Sequence, residues 1–102
     1  MYCVYLLRSI KNPRMTYVGF TTKDIRERMD EHNRDLTRTT APHIPWKMEV
    51  IISFADKQKA QEFETYLKNG SGYAFAKRHF WSANTVEIEK QLDEQTGSAK
   101  LA

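Results

Sequence analysis

The sequence predicts a single α+β domain in which a small sheet and several helices share one core. Near the N-terminus, two runs of β-branched and aromatic residues flank Asn12 and Pro13, a pattern typical of a β-hairpin. Helical patterns follow the second of these runs and a later apolar run. At 102 residues, 40% hydrophobic and 28% charged, the chain has the size and composition of one folded domain.

The first predicted strand runs from Tyr2 to Leu7, and the second lies within Met15 to Thr22. If the hairpin is centred near Lys11, Tyr5 lies opposite Tyr17. A shift of two residues would keep both rings on one face, because side chains alternate along a strand. The two tyrosines are therefore expected on the same side of the sheet, either as core residues or as part of a site.

The second strand leads into a helix predicted over residues 23–33. Thr22 or Thr21 can cap it, and Asp24 suits the positive end of the helix dipole. Arg28 and His32 are four residues apart, so they lie one above the other along the edge of the helix. The buried stripe is expected to comprise Ile25, Met29 and Leu36.

The run from Trp46 to Phe54 contains several apolar residues in close succession, which favours a central strand covered on both faces. Asp56 can cap a second helix that ends at Asn69, with Gly70 as a left-handed stop residue. The sequence therefore predicts a third strand followed directly by a helix.

Glu64 lies near the apolar face of this second helix. A buried carboxylate costs several kcal/mol, on the order of its desolvation, unless a cation meets it. That cation could be a metal ion or Arg28 in a functional site, or Lys68 in an ordinary i,i+4 ion pair. The apolar neighbours on this face are Ala60, Phe63 and Leu67.

A hinge at residues 70–72 is expected to separate the second helix from a short basic amphipathic helix over residues 73–81. Beyond it, a segment with Val86, Ile88 and Leu92 is expected to form one more helix, and the last residues to fray. We therefore predict a domain over residues 1–82 and a C-terminal helix or tail over residues 83–102.

The net charge of +3 is unevenly distributed, being +5 over residues 1–82 and −2 over residues 83–102. A basic domain favours a polyanion such as DNA, although such an excess also occurs in proteins that bind none. The predicted nucleic-acid-binding residues are Gly19, whose missing side chain lets a phosphate approach, and Arg26, Arg34, Arg38, Lys47, Lys77 and Arg78.

The chain has one cysteine, Cys3, in an apolar strand, which excludes an internal disulfide and predicts a buried thiol. An apolar run of about 18 residues, as a membrane-spanning helix requires, does not occur in the sequence. We therefore expect a cytoplasmic protein that does not interact with a membrane.

Two short motifs precede three polar residues along the chain. The first motif reads Cys3-Val4-Tyr5 and the second Tyr17-Val18-Gly19, followed by Arg28, His32 and Glu64. Together they resemble the signatures of the GIY-YIG nuclease family. The order and spacing agree with the family from Tyr2 to about Lys68. Cys3 stands where the first signature has glycine, and only Asn69 and Asn84 are candidates for a polar asparagine found in many members.

The resemblance implies a three-stranded antiparallel sheet flanked by helices and a divalent-metal-dependent endonuclease. Its catalytic residues would be Tyr5, Tyr17, Arg28, His32 and Glu64, with Glu64 as the ligand of Mg²⁺ or Mn²⁺. The neighbourhoods of Phe20-Thr21, His32-Asn33 and Pro45-Trp46 look like those of free-standing bacterial members related to the UvrC N-terminal nuclease domain and to structure-selective flap nucleases. This implies cleavage of DNA in repair or recombination, with a protein partner or homodimer for targeting. The alternative is a non-catalytic nucleic-acid-binding or partner-recruiting module on the same scaffold.

Overall fold

The computed structural model describes residues 1–34 and 37–82. The predicted C-terminal helix and tail, and Leu36 of the predicted helical stripe, lie outside these residues. The chain forms β1 (Tyr2–Ser9), β2 (Thr16–Thr21), α1 (Ile25–Asn33), a 3₁₀ turn (Ala41–His43), β3 (Trp46–Phe54), α2 (Lys57–Lys68) and α3 (Gly70–His79). None of the described helices is both long enough and apolar enough to span a membrane.

The three strands form one antiparallel sheet in the order β2-β1-β3, as predicted from the resemblance. The prediction that β3 is central is wrong. β1 is the central strand and is buried from Cys3 to Ser9, whereas Ile51 on β3 is 41% exposed. These residues are buried because β1 has a neighbouring strand on each side and a cluster of apolar side chains on each face. Cys3 is buried and free, as predicted.

The hairpin register differs from the prediction by two residues. Tyr5 lies opposite Gly19, and Tyr17 lies opposite Leu7. A turn in which the Met15 N–H donates to the Asn12 carbonyl (2.8 Å) shifts the centre of the hairpin from residue 11 to residue 12. This register keeps Pro13, which has no N–H, out of the strand ladder. Because the shift is even, both tyrosine rings remain on one face.

The sheet separates two apolar clusters. Val4 and Leu6 face α2 and α3, where they pack with Ala60 and Leu67. Tyr5 and Leu7 lie on the opposite face with Trp46 and the apolar side of α1. Complete burial of a residue such as Leu6 stabilises the fold by about 1.5–3 kcal/mol.

The helix boundaries show where local signals decide the structure. Asp24 caps α1, since its carboxylate accepts from the Arg26 N–H at 2.8 Å, so the predicted threonine cap is wrong. Asp56 caps α2 as predicted, accepting from the Lys59 N–H at 3.1 Å. Gly70 has a left-handed φ of +48°, as predicted, but α3 begins at this residue, so residues 71–72 are helical rather than a hinge, and the helix ends at His79 rather than at residue 81. Gly72 lies within this helix against the Tyr66 carbonyl, where a Cβ atom would overlap it.

Candidate active site

Four of the predicted catalytic side chains meet on the α1 face of the sheet. The Tyr5 hydroxyl lies 2.8 Å from His32 Nε2 and accepts from Arg28 Nε at 3.2 Å. The Tyr17 ring lies 6.3 Å from the Tyr5 ring and 5.1 Å from the His32 ring, between centroids. β1 supplies Tyr5 and β2 supplies Tyr17, and successive turns of α1 supply Arg28 and His32.

The hydrogen bonds of this cluster have one consistent direction. Arg28 can only donate, so the Tyr5 oxygen accepts from it, and every group in the cluster finds a partner when the Tyr5 O–H donates to His32 Nε2. His32 Nδ1 then carries the proton and donates to Thr40 Oγ1 at 2.9 Å. The Thr40 hydroxyl in turn faces the Thr37 carbonyl oxygen at 3.5 Å. The result is a chain of hydrogen bonds from Arg28 to the backbone of the loop that follows α1.

Burial determines the protonation states of the hydrogen-bonded residues Tyr5 and His32. It lowers the pKa of His32 to about 4, an effect that the charge of Arg28 reinforces, so the imidazole is neutral at neutral pH. Burial also raises the pKa of Tyr5 to about 12, although Arg28 opposes the rise. Because the pKa of Tyr5 lies far above that of His32, transfer of the Tyr5 proton to the imidazole is unfavourable. The pair is therefore suited to holding a geometry rather than to exchanging a proton.

Arg28 is the half-buried cation of the site. Its Nη1 donates to Glu31 Oε1 at 2.6 Å, one helical turn away. Burial would lower the pKa of Arg28, but the bonds to Glu31 and Tyr5 outweigh burial and raise it. Bonds from Lys23 and Arg28 lower the pKa of Glu31. Glu31 and Tyr5 thus hold a permanently charged guanidinium at the edge of the site.

Gly19 is buried beneath the tyrosines. A Cβ atom at this position would overlap the Tyr5 phenol and lie 2.8 Å from Tyr17 Cε2. The group that approaches this backbone closely in the structure is the Tyr5 ring, and the role of Gly19 in admitting a phosphate stays a prediction. Glycine is required here because Tyr5 packs directly over its cross-strand partner.

We expect Gly19→Ala to destabilise the domain by about 1–3 kcal/mol, the usual cost of inserting a methyl group into a closely packed site. The new methyl group displaces the Tyr5 ring and weakens its bonds to Arg28 and His32. Urea unfolding of the parent and variant measures the change. An unchanged unfolding midpoint would show that the ring can move aside without cost.

The neutral, buried His32 predicts a loss of stability in acid. Its folded pKa of about 4 lies below the ordinary value of 6.5, so the unfolded chain binds more protons between these values. The stability that neutral His32 contributes is complete above about pH 6.5 and is lost as the pH falls toward 4. Arg28 and Glu31 are the charges that act on this histidine.

The test is the free energy of unfolding at pH 7 and pH 5 for the parent, His32→Gln and His79→Gln. His79 is an exposed histidine on α3 and serves as the control. We expect the parent and His79→Gln to lose stability in parallel and His32→Gln to lose less. Equal losses in all three proteins would contradict a neutral His32.

Glu64 lies on α2 with 20% of its side chain exposed, and its Oε2 pairs with Lys68 Nζ at 2.8 Å. The pairing with Arg28 considered from the sequence does not form, because Arg28 binds Glu31. The negative charge of Glu64 nevertheless acts on the active-site cluster, since it contributes to the raised pKa of Tyr5 after the larger effect of burial. The charge of Glu64 thus acts on Tyr5 from a different helix.

The donor set fits a weakly coordinated Mg²⁺ or Mn²⁺ ion rather than a closed metal site. Within residues 1–34 and 37–82, no three His, Cys, Asp or Glu side chains are grouped to hold a metal. Mg²⁺ is commonly bound by one or two carboxylates, with water and substrate phosphate as the remaining ligands. Glu64, a partly exposed hard-oxygen donor, meets this requirement by itself.

The predicted basic residues do not form a single surface around the tyrosines. Arg26 and Arg34 are exposed on α1 and pair with Asp24 (3.3 Å) and Asp30 (2.8 Å). Lys77 instead lines a cavity on the α3 side of the sheet. Arg38 is exposed in the loop after α1, Lys47 is exposed on β3, and Arg78 is exposed on α3 beside Lys77.

Sequence reasoning missed two supporting residues. Thr40 is completely buried, bonds His32, and accepts the Trp46 indole N–H on its carbonyl at 2.8 Å. Asn33 binds the Trp46 backbone at both ends, with its Oδ1 accepting at 2.7 Å and its Nδ2 donating at 3.2 Å. Asn69 bonds locally to the Thr65 carbonyl, and Asn84 lies outside the described residues. A threonine in a polar loop has no local signature that would reveal the role of Thr40.

The fold and the clustered tyrosine, arginine and histidine side chains agree with comparison to known families. Residues 1–78 match the family of the GIY-YIG catalytic domain. Because this match covers most of the chain, the chain belongs to the GIY-YIG family.

Similar proteins include the structure-specific endonuclease subunit SLX1 of three fungi. The Candida dubliniensis protein is 33% identical over 99% of this chain and 35% of its own length. The Kluyveromyces lactis protein is 39% identical over 98% of this chain and 37% of its own length. The Yarrowia lipolytica protein is 41% identical over 67% of this chain and 26% of its own length. The chain thus spans little more than a third of the length of these relatives, or less. The expected similarity to bacterial and UvrC-like members stays a prediction.

Proposed function

We propose that this chain is a divalent-metal-dependent endonuclease that hydrolyses phosphodiester bonds in DNA, selects substrates by structure and acts in repair or recombination. The observation that carries the proposal is the bonded group Arg28–Tyr5–His32 beside Tyr17. The names of the fungal relatives, which are structure-specific endonuclease subunits, support both the activity and the selectivity. The word subunit also supports a protein partner.

Arg28 would bind the scissile phosphate. Among the described contacts, its Nε and Nη1 are bound to Tyr5 and Glu31, which leaves Nη2 for a phosphate oxygen. A guanidinium held in this way can stabilise charge that develops on the phosphate without reorganising during the reaction. Glu31 and Tyr5 would therefore act as positioning residues for Arg28.

Tyr17 is the better candidate of the two tyrosines to contact the attacking water. Tyr5 and His32 are completely buried, whereas Tyr17 is half-buried and its ring lies beside both. The Tyr17 hydroxyl would orient the nucleophile and take part in its deprotonation. Tyr5 and His32 would hold the site in place through their shared hydrogen bond.

Glu64 would hold the metal ion, which when bound supplies positive charge that acidifies a bound water and stabilises the leaving oxyanion. The carboxylate is accessible at one side of α2, and its present partner Lys68 is 46% exposed and free to turn toward solvent. An ion pair of this exposure contributes only about 0–1 kcal/mol, so a dication can replace Lys68 at little cost.

The test is cleavage of a panel of labelled DNA substrates by the chain, with Mg²⁺, with Mn²⁺ and with a chelator. The panel contains a linear duplex, a single strand, a flap, a splayed arm and a four-way junction. We expect metal-dependent cleavage of the branched members. Binding of the same substrates without any cleavage under either metal would instead support the non-catalytic module.

A further inference from the structure

A second candidate site lies on the opposite side of the sheet from the tyrosines. It is a cavity of about 230 Å³ between the hairpin loop and α3. Arg8 and Thr16 are cross-strand partners and therefore project from the same face. The lining residues are Arg8, Arg14, Thr16, Tyr73, Lys77 and Trp81, with Ser82 at the point where the chain leaves α3.

Arg8 forms the floor of this cavity, and its positive charge is neutralised by Glu49. Arg8 is 7% exposed, and its Nε donates to Glu49 Oε2 at 2.9 Å. Its guanidinium lies 5.6 Å from the centre of the Trp81 ring and donates to the Ser82 carbonyl. The Ser82 N–H donates back to Glu49 Oε1 at 2.8 Å. The charge of Arg8 is thus used within the fold and does not define the ligand.

The rim supplies positive charge that has no described acidic partner. Arg14 and Lys77 are exposed, and neither forms an ion pair with a carboxylate among residues 1–34 and 37–82. Thr16 and Tyr73 place hydroxyl-bearing side chains in the same wall. Two cations and two hydroxyl groups, above a floor whose charge is already neutralised, are suited to binding a phosphate group.

The cavity is connected to the active site through β2. Thr16 lines the cavity and the next residue, Tyr17, lies in the active site, so their side chains point to opposite faces of the sheet. β2 is an edge strand of the described sheet. A DNA segment held in the cavity would therefore lie on one side of this sheet edge, and the DNA strand that contacts Tyr17 would lie on the other.

We propose that this cavity binds a backbone phosphate of a DNA segment other than the one being cut, and that this second contact produces selectivity for branched DNA. The inference rests on the proposed function and deepens it, because it assigns residues to the recognition of structure. A linear duplex presents one continuous segment, whereas a branch presents a second segment that can pass around β2.

The experiment measures binding of the full chain, in chelator, to a fluorescent flap DNA and to a linear duplex of equal length. The test variant is Arg14→Gln/Lys77→Gln. The control, Lys57→Gln/Lys59→Gln, removes the same charge from exposed positions on α2. We expect the test variant alone to bind the flap on the order of three- to tenfold more weakly, with a salt slope lower by about one. Its affinity for the duplex should remain equal to that of the control.

Melting temperatures establish that all the proteins are folded, and the single variants Arg14→Gln and Lys77→Gln substitute for the double variant if it unfolds. Unchanged flap affinity, or equal weakening for flap and duplex, would overturn the inference. In either case cleavage of branched DNA by the parent would leave the proposed function intact. A parent that neither binds nor cleaves any DNA would remove both.

Discussion

Glu64→Gln is expected to reduce metal-dependent cleavage by about 10²–10³-fold, the usual effect of removing one key electrostatic contact. The amide keeps the shape of the side chain but lacks the charge that a divalent ion requires. DNA affinity should be unchanged, because the proposed phosphate contacts come from arginine and lysine. Stability should change little, because the ion pair with Lys68 is partly exposed.

Two variants on the same helix make this result interpretable. Lys68→Gln breaks the same ion pair but keeps the Glu64 carboxylate, and Glu62→Gln removes an exposed carboxylate that pairs with Lys59 at 3.7 Å. Cleavage, DNA affinity and melting temperature are measured for all three. We expect both control variants to cleave at nearly the parental rate. A Glu64→Gln protein as active as these controls would refute the metal assignment, and equal loss in Lys68→Gln would indicate a structural ion pair.

Tyr17→Phe is expected to lower the cleavage rate by about 10²-fold or more with little change in stability, because a positioned hydroxyl that takes part in proton transfer contributes on this scale. Tyr5→Phe should behave differently. It leaves buried His32 Nε2 without its partner, which costs about 1–3 kcal/mol of stability, and it releases Arg28 from one of its two anchors.

Cleavage rates and urea unfolding are compared for Tyr17→Phe, Tyr5→Phe and Tyr66→Phe, the last at an exposed tyrosine on α2. The expected pattern is lost activity without lost stability at residue 17, and loss of both at residue 5. If both active-site variants cleave like Tyr66→Phe, neither phenol has a role in the reaction. A stable Tyr5→Phe with a much lower rate than Tyr17→Phe would exchange the proposed roles of the two tyrosines.

The local elements of this protein follow from the sequence. The alternating and apolar run of β3 predicts Trp46–Phe54, which is the observed strand, and Asp56 predicts the start of α2. The four-residue spacing of Arg28 and His32 places both on one side of α1. These features are determined within a few neighbouring residues by strand alternation, helical periodicity and capping, so no distant contact is needed to predict them.

The tertiary structure alone decided the strand order, the exact strand register and the contacts that support the site. Strand order made β1 rather than β3 the central strand, and the turn at Asn12 set the register that places Gly19 under Tyr5. The bond from His32 to Thr40, and the cavity that joins the hairpin to α3, depend on the packing of separate elements. Such contacts depend on the shape and packing of the whole core, so the residue types within one segment do not predict them.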